Sequence, residues 1–158
     1  MLDPLDRKLL MALQHDARRT NADLAEEVGL SVSACAKRVA RFWSDGLIAR
    51  SVALLDRRKF KRPVTATVMV SLTAPKANVS QEFARRICAY DAVQQCHVVT
   101  GDFDFLLIVQ ERSIEAYHDF AQEVFGEWAS VADYKTVFLL RSYKNENTLP
   151  EFCLTAAE

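Results

Sequence analysis

Wound as a helix, residues 32–44 set Ser33, Ala34, Lys37, Arg38 and Arg41 opposite an apolar stripe of Val32, Cys35, Ala36, Val39 and Phe42. The polar face is small at its start and cationic further along. A helix lying in the major groove of DNA needs that order. Short side chains permit close approach, Arg forks onto guanine, and Lys or Arg neutralises phosphate. An amphipathic helix with a merely solvated basic face shows the same pattern. A second constellation is Thr100-Gly101-Asp102-Phe103-Asp104. Gly101 leaves the backbone open, so N–H groups there can receive a carboxylate, and Asp102 or Asp104 can accept from an ammonium group. An amino acid carries both charges. A plain hairpin turn also uses glycine and aspartate, with no ligand in view. Thr100 and Thr136 are further polar contacts for such a ligand.

Catalytic chemistry finds less support. His15, His97 and His118 fall on different elements, and no metalloprotease, nucleophile-elbow, Walker or dinucleotide motif is present. Cys35, Cys88, Cys96 and Cys153 lack C-x-x-C spacing, so reduced thiols are expected rather than a disulfide or zinc site, and no cofactor is implied. An RNA-recognition sheet would place aromatics and a K/R-G-F/Y pattern on its central strands, and VVT and FLLIV offer no such stacking platform. A small-molecule sensor alone would leave the basic helix unexplained.

The charge is unevenly spread. The formal net charge is −1, yet residues 1–62 balance to +5 and the remainder to −6. A basic third joined to an acidic remainder suggests that one part meets a polyanion and the other does something else. Half the residues are hydrophobic and 26% are charged, which excludes a disordered chain. No run approaches the ~18 apolar residues of a membrane span. MLDPLDRKLL is acidic where a signal peptide would be basic, so a soluble cytoplasmic protein is expected.

The elements that must hold these residues follow from caps and periods. Asp3 caps a first helix with Pro4 at its first position and Asp6 in its first turn. Thr20 and Asp23 form a capping box for a second helix, which Gly29 ends. Ser31 caps the third, so Gly29-Leu30-Ser31 makes the tight turn of a helix-turn-helix. LIARSVALL (47–55) reads as a strand, followed by five cations over residues 56–62 as a hinge that touches phosphate. From Pro63 the period becomes two: strands over 64–74, 93–100, 105–110 and 133–141, with helices capped by Ser80 and Ser113. The order β-α-β-β-α-β is the ferredoxin-like split. KNENTLPEF is read as a trailing polar tail. Two helices cover one sheet face only, so the apolar residues left on the other call for a second copy. Helices folded back over the sheet would cover it in a monomer.

These segments together resemble the Lrp/AsnC family of bacterial and archaeal transcription regulators. The matching stretches are LDPLDRKLLMALQHDARRT, LAEEVGLSVSACAKRVARF with DGLI, VVTGDFDFLLIV and YKTVFLLRSYKNENTLP, in the family's order. The resemblance implies an α+β chain. Residues 1–62 would form a winged helix-turn-helix, and 63–158 a βαββαβ (RAM- or ACT-like) domain for effector binding and assembly. The double-stranded DNA contacts would be Thr20, Asn21, Ser31, Ser33, Ala34, Lys37, Arg38, Arg41, Arg57 and Arg58. An amino-acid effector would meet Thr100, Gly101, Asp102, Phe103, Asp104 and Thr136. Homodimers would assemble further, to octamers in many members, and the protein would be nucleoid-associated. An effector-independent DNA-organising protein is the alternative. Phe42-Trp43-Ser44, Lys59-Phe60-Lys61-Arg62 and Trp128-Ala129-Ser130 depart from the family's pattern.

Overall fold

The computed structural model describes residues 2–56, 59–61, 63–74 and 76–154. Two compact units are present: Met1–Leu55 together with Lys144–Glu158, and Asp56–Tyr143. No helix among the described residues is long and apolar enough to cross a membrane.

The first unit is built from α1 (Pro4–His15), α2 (Asn21–Val28) and α3 (Val32–Ser44). Each starts where a side chain can satisfy orphan amides. Asp3 and Asp6 form a capping box on α1, Thr20 and Asp23 one on α2, and the Ser31 hydroxyl accepts from Ala34 N–H at 3.3 Å. Gly29 closes α2 at φ +71°, the left-handed conformation that glycine adopts at low cost. The core gathers Leu9, Leu10 and Ala12 of α1, Leu24, Ala25 and Val28 of α2, and Cys35 and Phe42 of α3.

Two expectations fail around this unit. Residues 47–56 form no strand, and Val52, Leu54 and Leu55 are exposed. No strand among the described residues pairs with them, and an unpaired strand gains no ladder of hydrogen bonds. The polar tail does not trail off either. Residues 144–154, assigned above to the domain 63–158, lie with the helical unit. The Gln14 side-chain amide brackets Leu149, donating from Nε2 to its carbonyl at 3.2 Å and accepting its N–H at 2.7 Å. Leu154 then joins the helical core.

The second unit comprises β1 (Val64–Leu72), α4 (Ala77–Ile87), β2 (Val93–Val98), β3 (Phe105–Glu111), α5 (Ile114–Ala121) and β4 (Val131–Phe138). A π-helical turn, Gln122–Gly126, continues α5 and was not expected; it turns Val124 and Phe125 into the core. The strands run antiparallel in the order β2-β3-β1-β4. Alternation sends Ala66, Val68, Val70 and Leu72 of β1, with Phe105, Leu107 and Val109 of β3, against α4 and α5. The register puts Thr65, Thr67, Met69 and Ser71 on the opposite face beside Leu106, Ile108 and Val137. Ser80 does not cap α4: its N–H already donates to Lys76 O at 3.0 Å, so the helix has begun one turn earlier. Ser113 caps α5 as expected.

Candidate nucleic-acid interface and effector turn

The turn between α2 and α3 is held by Leu30 N–H on Ala25 O at 2.9 Å, and Cys35 and Phe42 pin α3 to the core. Those contacts decide which side of α3 faces out. Ser33, Lys37, Ala40, Arg41 and Ser44 are exposed, and Ala34, Ala36 and Arg38 are half-buried. Val32 was counted in the buried stripe, but it is 53% exposed as the first residue of α3. Sequence periodicity assigns it inward because it ignores that the first turn overhangs the core. Its position directly after the Ser31 cap was the available signal. Exposed methyls at the start of a helix can pack on the C5-methyl of thymine where such a helix lies in a major groove.

The expected DNA-facing arginines are placed differently. Arg38 turns its guanidinium inward, with Nη1 donating to Asp3 Oδ2 and to Asp6 Oδ1, each at 2.6 Å. Arg41 Nη2 donates to Asp6 Oδ2 at 2.6 Å and stays partly exposed. Asp6 is 1% exposed. Burial alone would raise its pKa; hydrogen bonds from Arg38, Asp3 N–H and Arg41 outweigh that and hold the carboxyl below its ordinary value. Arg38, expected to read a base edge, has its charge matched by Asp3 and Asp6 within the protein. Thr20 is exposed, but its hydroxyl serves the α2 cap, donating to Asp23 Oδ2 at 2.7 Å. Asn21 and Ser31 are exposed at the starts of their helices. Arg57 and Arg58 lie outside the described residues.

At the β2–β3 connection, Gly101 takes φ +115°, a conformation that favours glycine. Thr100 and Asp102 are exposed, and Phe103 is half-buried. Asp104 is anchored three ways to the surrounding strands. Its N–H donates to Val70 O at 2.9 Å, its carbonyl accepts from Val99 N–H at 3.0 Å, and its Oδ2 accepts Leu72 N–H at 2.7 Å. The side chain thus holds the turn against the end of β1. Thr136 is not brought to this turn. It pairs with Val68, and its hydroxyl shares a 2.5 Å hydrogen bond with the Tyr117 hydroxyl on the helix side. Burial pushes the Tyr117 phenol up from its ordinary value.

A helix-turn-helix followed by this sheet order, with a glycine turn at β2–β3, is matched by known family descriptions. The AsnC-type helix-turn-helix domain matches residues 2–42, and the Lrp/AsnC ligand binding domain matches residues 65–149. The chain belongs to the Lrp/AsnC family. Among its relatives, the leucine-responsive regulatory protein of Haemophilus influenzae is 33% identical, the alignment covering 94% of this chain and 89% of the relative. That of Escherichia coli K12 is 32% identical over 94% and 90%. Among solved structures, an AsnC family transcriptional regulator from Agrobacterium tumefaciens superposes with a TM-score of 0.90 at 32% identity, covering 98% of this chain and 100% of that one. A transcriptional regulator from Neisseria meningitidis in complex with L-Met gives 0.89 at 28% identity with the same coverage. As a member of the Lrp/AsnC family, the protein is a helix-turn-helix transcription regulator and not an enzyme.

Proposed function

We propose that this Lrp/AsnC regulator binds double-stranded DNA through the exposed face of α3, as a homodimer, in response to an amino acid. The observation that carries the DNA reading is the outward set Val32, Ser33 and Lys37 at the start of a helix held by a three-residue turn. Small and apolar groups there permit approach to base edges, and Lys37 supplies phosphate charge. Arg57 and Arg58 belong to the same basic stretch and add phosphate contacts. Asn21, exposed at the start of α2, adds a polar contact to phosphate.

For the effector, Thr100, Gly101, Asp102 and Phe103 form the contact set, with Asp104 holding the turn in shape. The Neisseria relative with L-Met supports an amino acid as the ligand class. Dimers would associate further, and the working location is the cytoplasm, on the nucleoid. The test is a gel shift against the DNA upstream of the chain's own gene, repeated with each of the twenty amino acids. Salt-dependent retardation that one amino acid alters supports the whole reading. Retardation that no amino acid alters leaves an effector-independent regulator. No retardation at any salt sinks the DNA assignment.

A further inference from the structure

Asp6 is the one fully buried charged side chain among the described residues. A capping box needs only that its carboxylate reach Asp3 N–H, which Oδ2 does at 3.2 Å. Nothing in that task requires burying a charge, which costs free energy that an apolar residue would avoid. The additional contacts are all to α3. Oδ1 takes Arg38 and Oδ2 takes Arg41, both at 2.6 Å, and these arginines are three residues apart on one side of the helix. Asp3, locked by Asp6 N–H at 2.7 Å, adds a second carboxylate on Arg38 at 2.6 Å. The first turn of α1 therefore grips α3 at two successive points. Two grips on one side of a helix fix its rotation about its own axis, and that rotation decides whether Val32, Ser33 and Lys37 point outward.

We propose that Asp6 is a positioning residue for DNA recognition: by holding Arg38 and Arg41 it sets the rotation of α3 and withholds their charge from non-cognate phosphate. The inference rests on the DNA-binding reading above. It separates two quantities that a purely stabilising role would move together. Freed arginines raise or preserve affinity for any duplex, whereas a loosened α3 lowers affinity for the preferred one. Loss of folded protein lowers both and leaves their ratio unchanged.

The experiment uses the full-length protein, a duplex selected from a random pool, and a scrambled duplex of equal length. Affinities are measured for wild type, Asp6→Asn, Arg38→Gln and the double variant, with folding checked by circular dichroism. Asp6→Asn should reduce the specific-to-scrambled ratio by about tenfold while scrambled affinity holds or rises. Arg38→Gln should reduce the ratio similarly, and the double variant should be no worse than the worse single one, because both remove one shared interaction. A folded Asp6→Asn with an unchanged ratio overturns the proposal. If Asp6→Asn does not fold, an unchanged ratio in Arg38→Gln overturns it instead. Additive losses, with Arg38→Gln relaxing preference at a single base pair, would make Arg38 a base reader and also overturn it. Wild type that binds no duplex in a salt-dependent way removes the DNA reading itself, which is a different failure.

Discussion

Lys37 and Arg38 are adjacent cations on one helix with opposite fates. Lys37 is exposed, while Arg38 spends its guanidinium on Asp3 and Asp6. Charge and spacing alone do not distinguish them, because the deciding partner sits on α1. Lys37→Ala should therefore weaken binding to all duplexes alike and reduce the salt slope by about one, read from affinities between low and moderate salt. Val32 predicts a different signature. Replacing thymine by uracil at a contacted step removes one methyl and should weaken wild-type binding, but leave Val32→Ala indifferent. Equal losses in both proteins would remove Val32 from the interface. Asp6 adds a dependence on acid. Its folded pKa is lowered from an ordinary value of 3.8, so the unfolded chain takes up the proton first as pH falls. The stability it contributes is full above that value and is lost as pH drops through the lowered one. Both arginines keep some solvent, so Asp6→Asn should cost only about 1–3 kcal/mol at pH 7, and less as the pH falls below the ordinary carboxylate range, by urea unfolding.

Elements whose start is fixed by a neighbouring side chain were legible in the sequence. Asp3, Thr20, Ser31 and Ser113 cap where their spacing says, because an N-cap is decided within one turn. The period-two strands were legible for the same reason, since each exposes its alternation locally. What failed depends on distant partners. Residues 47–55 have strand composition but no strand beside them, and the tail after Lys144 has polar composition but a receptor on α1. Gln14 supplies that receptor through an amide whose two ends match one peptide group of Leu149. No local pattern announces a pairing across 135 residues. The partner of Thr136 was not legible either, its hydroxyl being taken by Tyr117 on another element. The tail's contribution can be measured. Leu154 is 8% exposed within the helical core, so Leu154→Ala should destabilise that unit by about 2–3 kcal/mol. Amide hydrogen exchange would show it as faster exchange in α1 and α2, with the sheet unchanged. Equal acceleration in the sheet would mean that the two units unfold together.

At the scale of the molecule, the unsolved surface is the sheet face turned away from α4 and α5. Register places Met69, Leu106, Ile108 and Val137 there, with Leu139 continuing it through its N–H on Thr65 O at 2.8 Å. They share rows with polar and charged partners: Gln95, Ile108, Thr67 and Val137 lie in one, and His97, Leu106, Met69 and Lys135 in the next. Apolar side chains on two adjacent rows, interspersed with polar groups, suit a protein–protein contact, whose surface as a whole is about as apolar as the rest of a protein. A second copy related by a two-fold axis would bury the same residues on both sides, and a stable contact needs roughly 800 Å² from each partner. Such a dimer would also present two α3 helices to a palindromic site. Ile108 is the sharpest probe, because it stands on β3 between Thr67 of β1 and Gln95 of β2. Ile108→Asp puts a carboxylate on this face of each copy, and burying it unpaired in the contact would oppose association. Sedimentation at micromolar concentration should show wild type as a dimer or larger and Ile108→Asp as a folded monomer. Leu140→Asp is the control, since Leu140 lies beyond β4 and is 99% exposed. It should leave the assembly intact. A dimer that survives Ile108→Asp would place the interface on another surface, and the strand-like residues 47–55, with Val52 and Leu54 outside any core, would be the next segment to substitute.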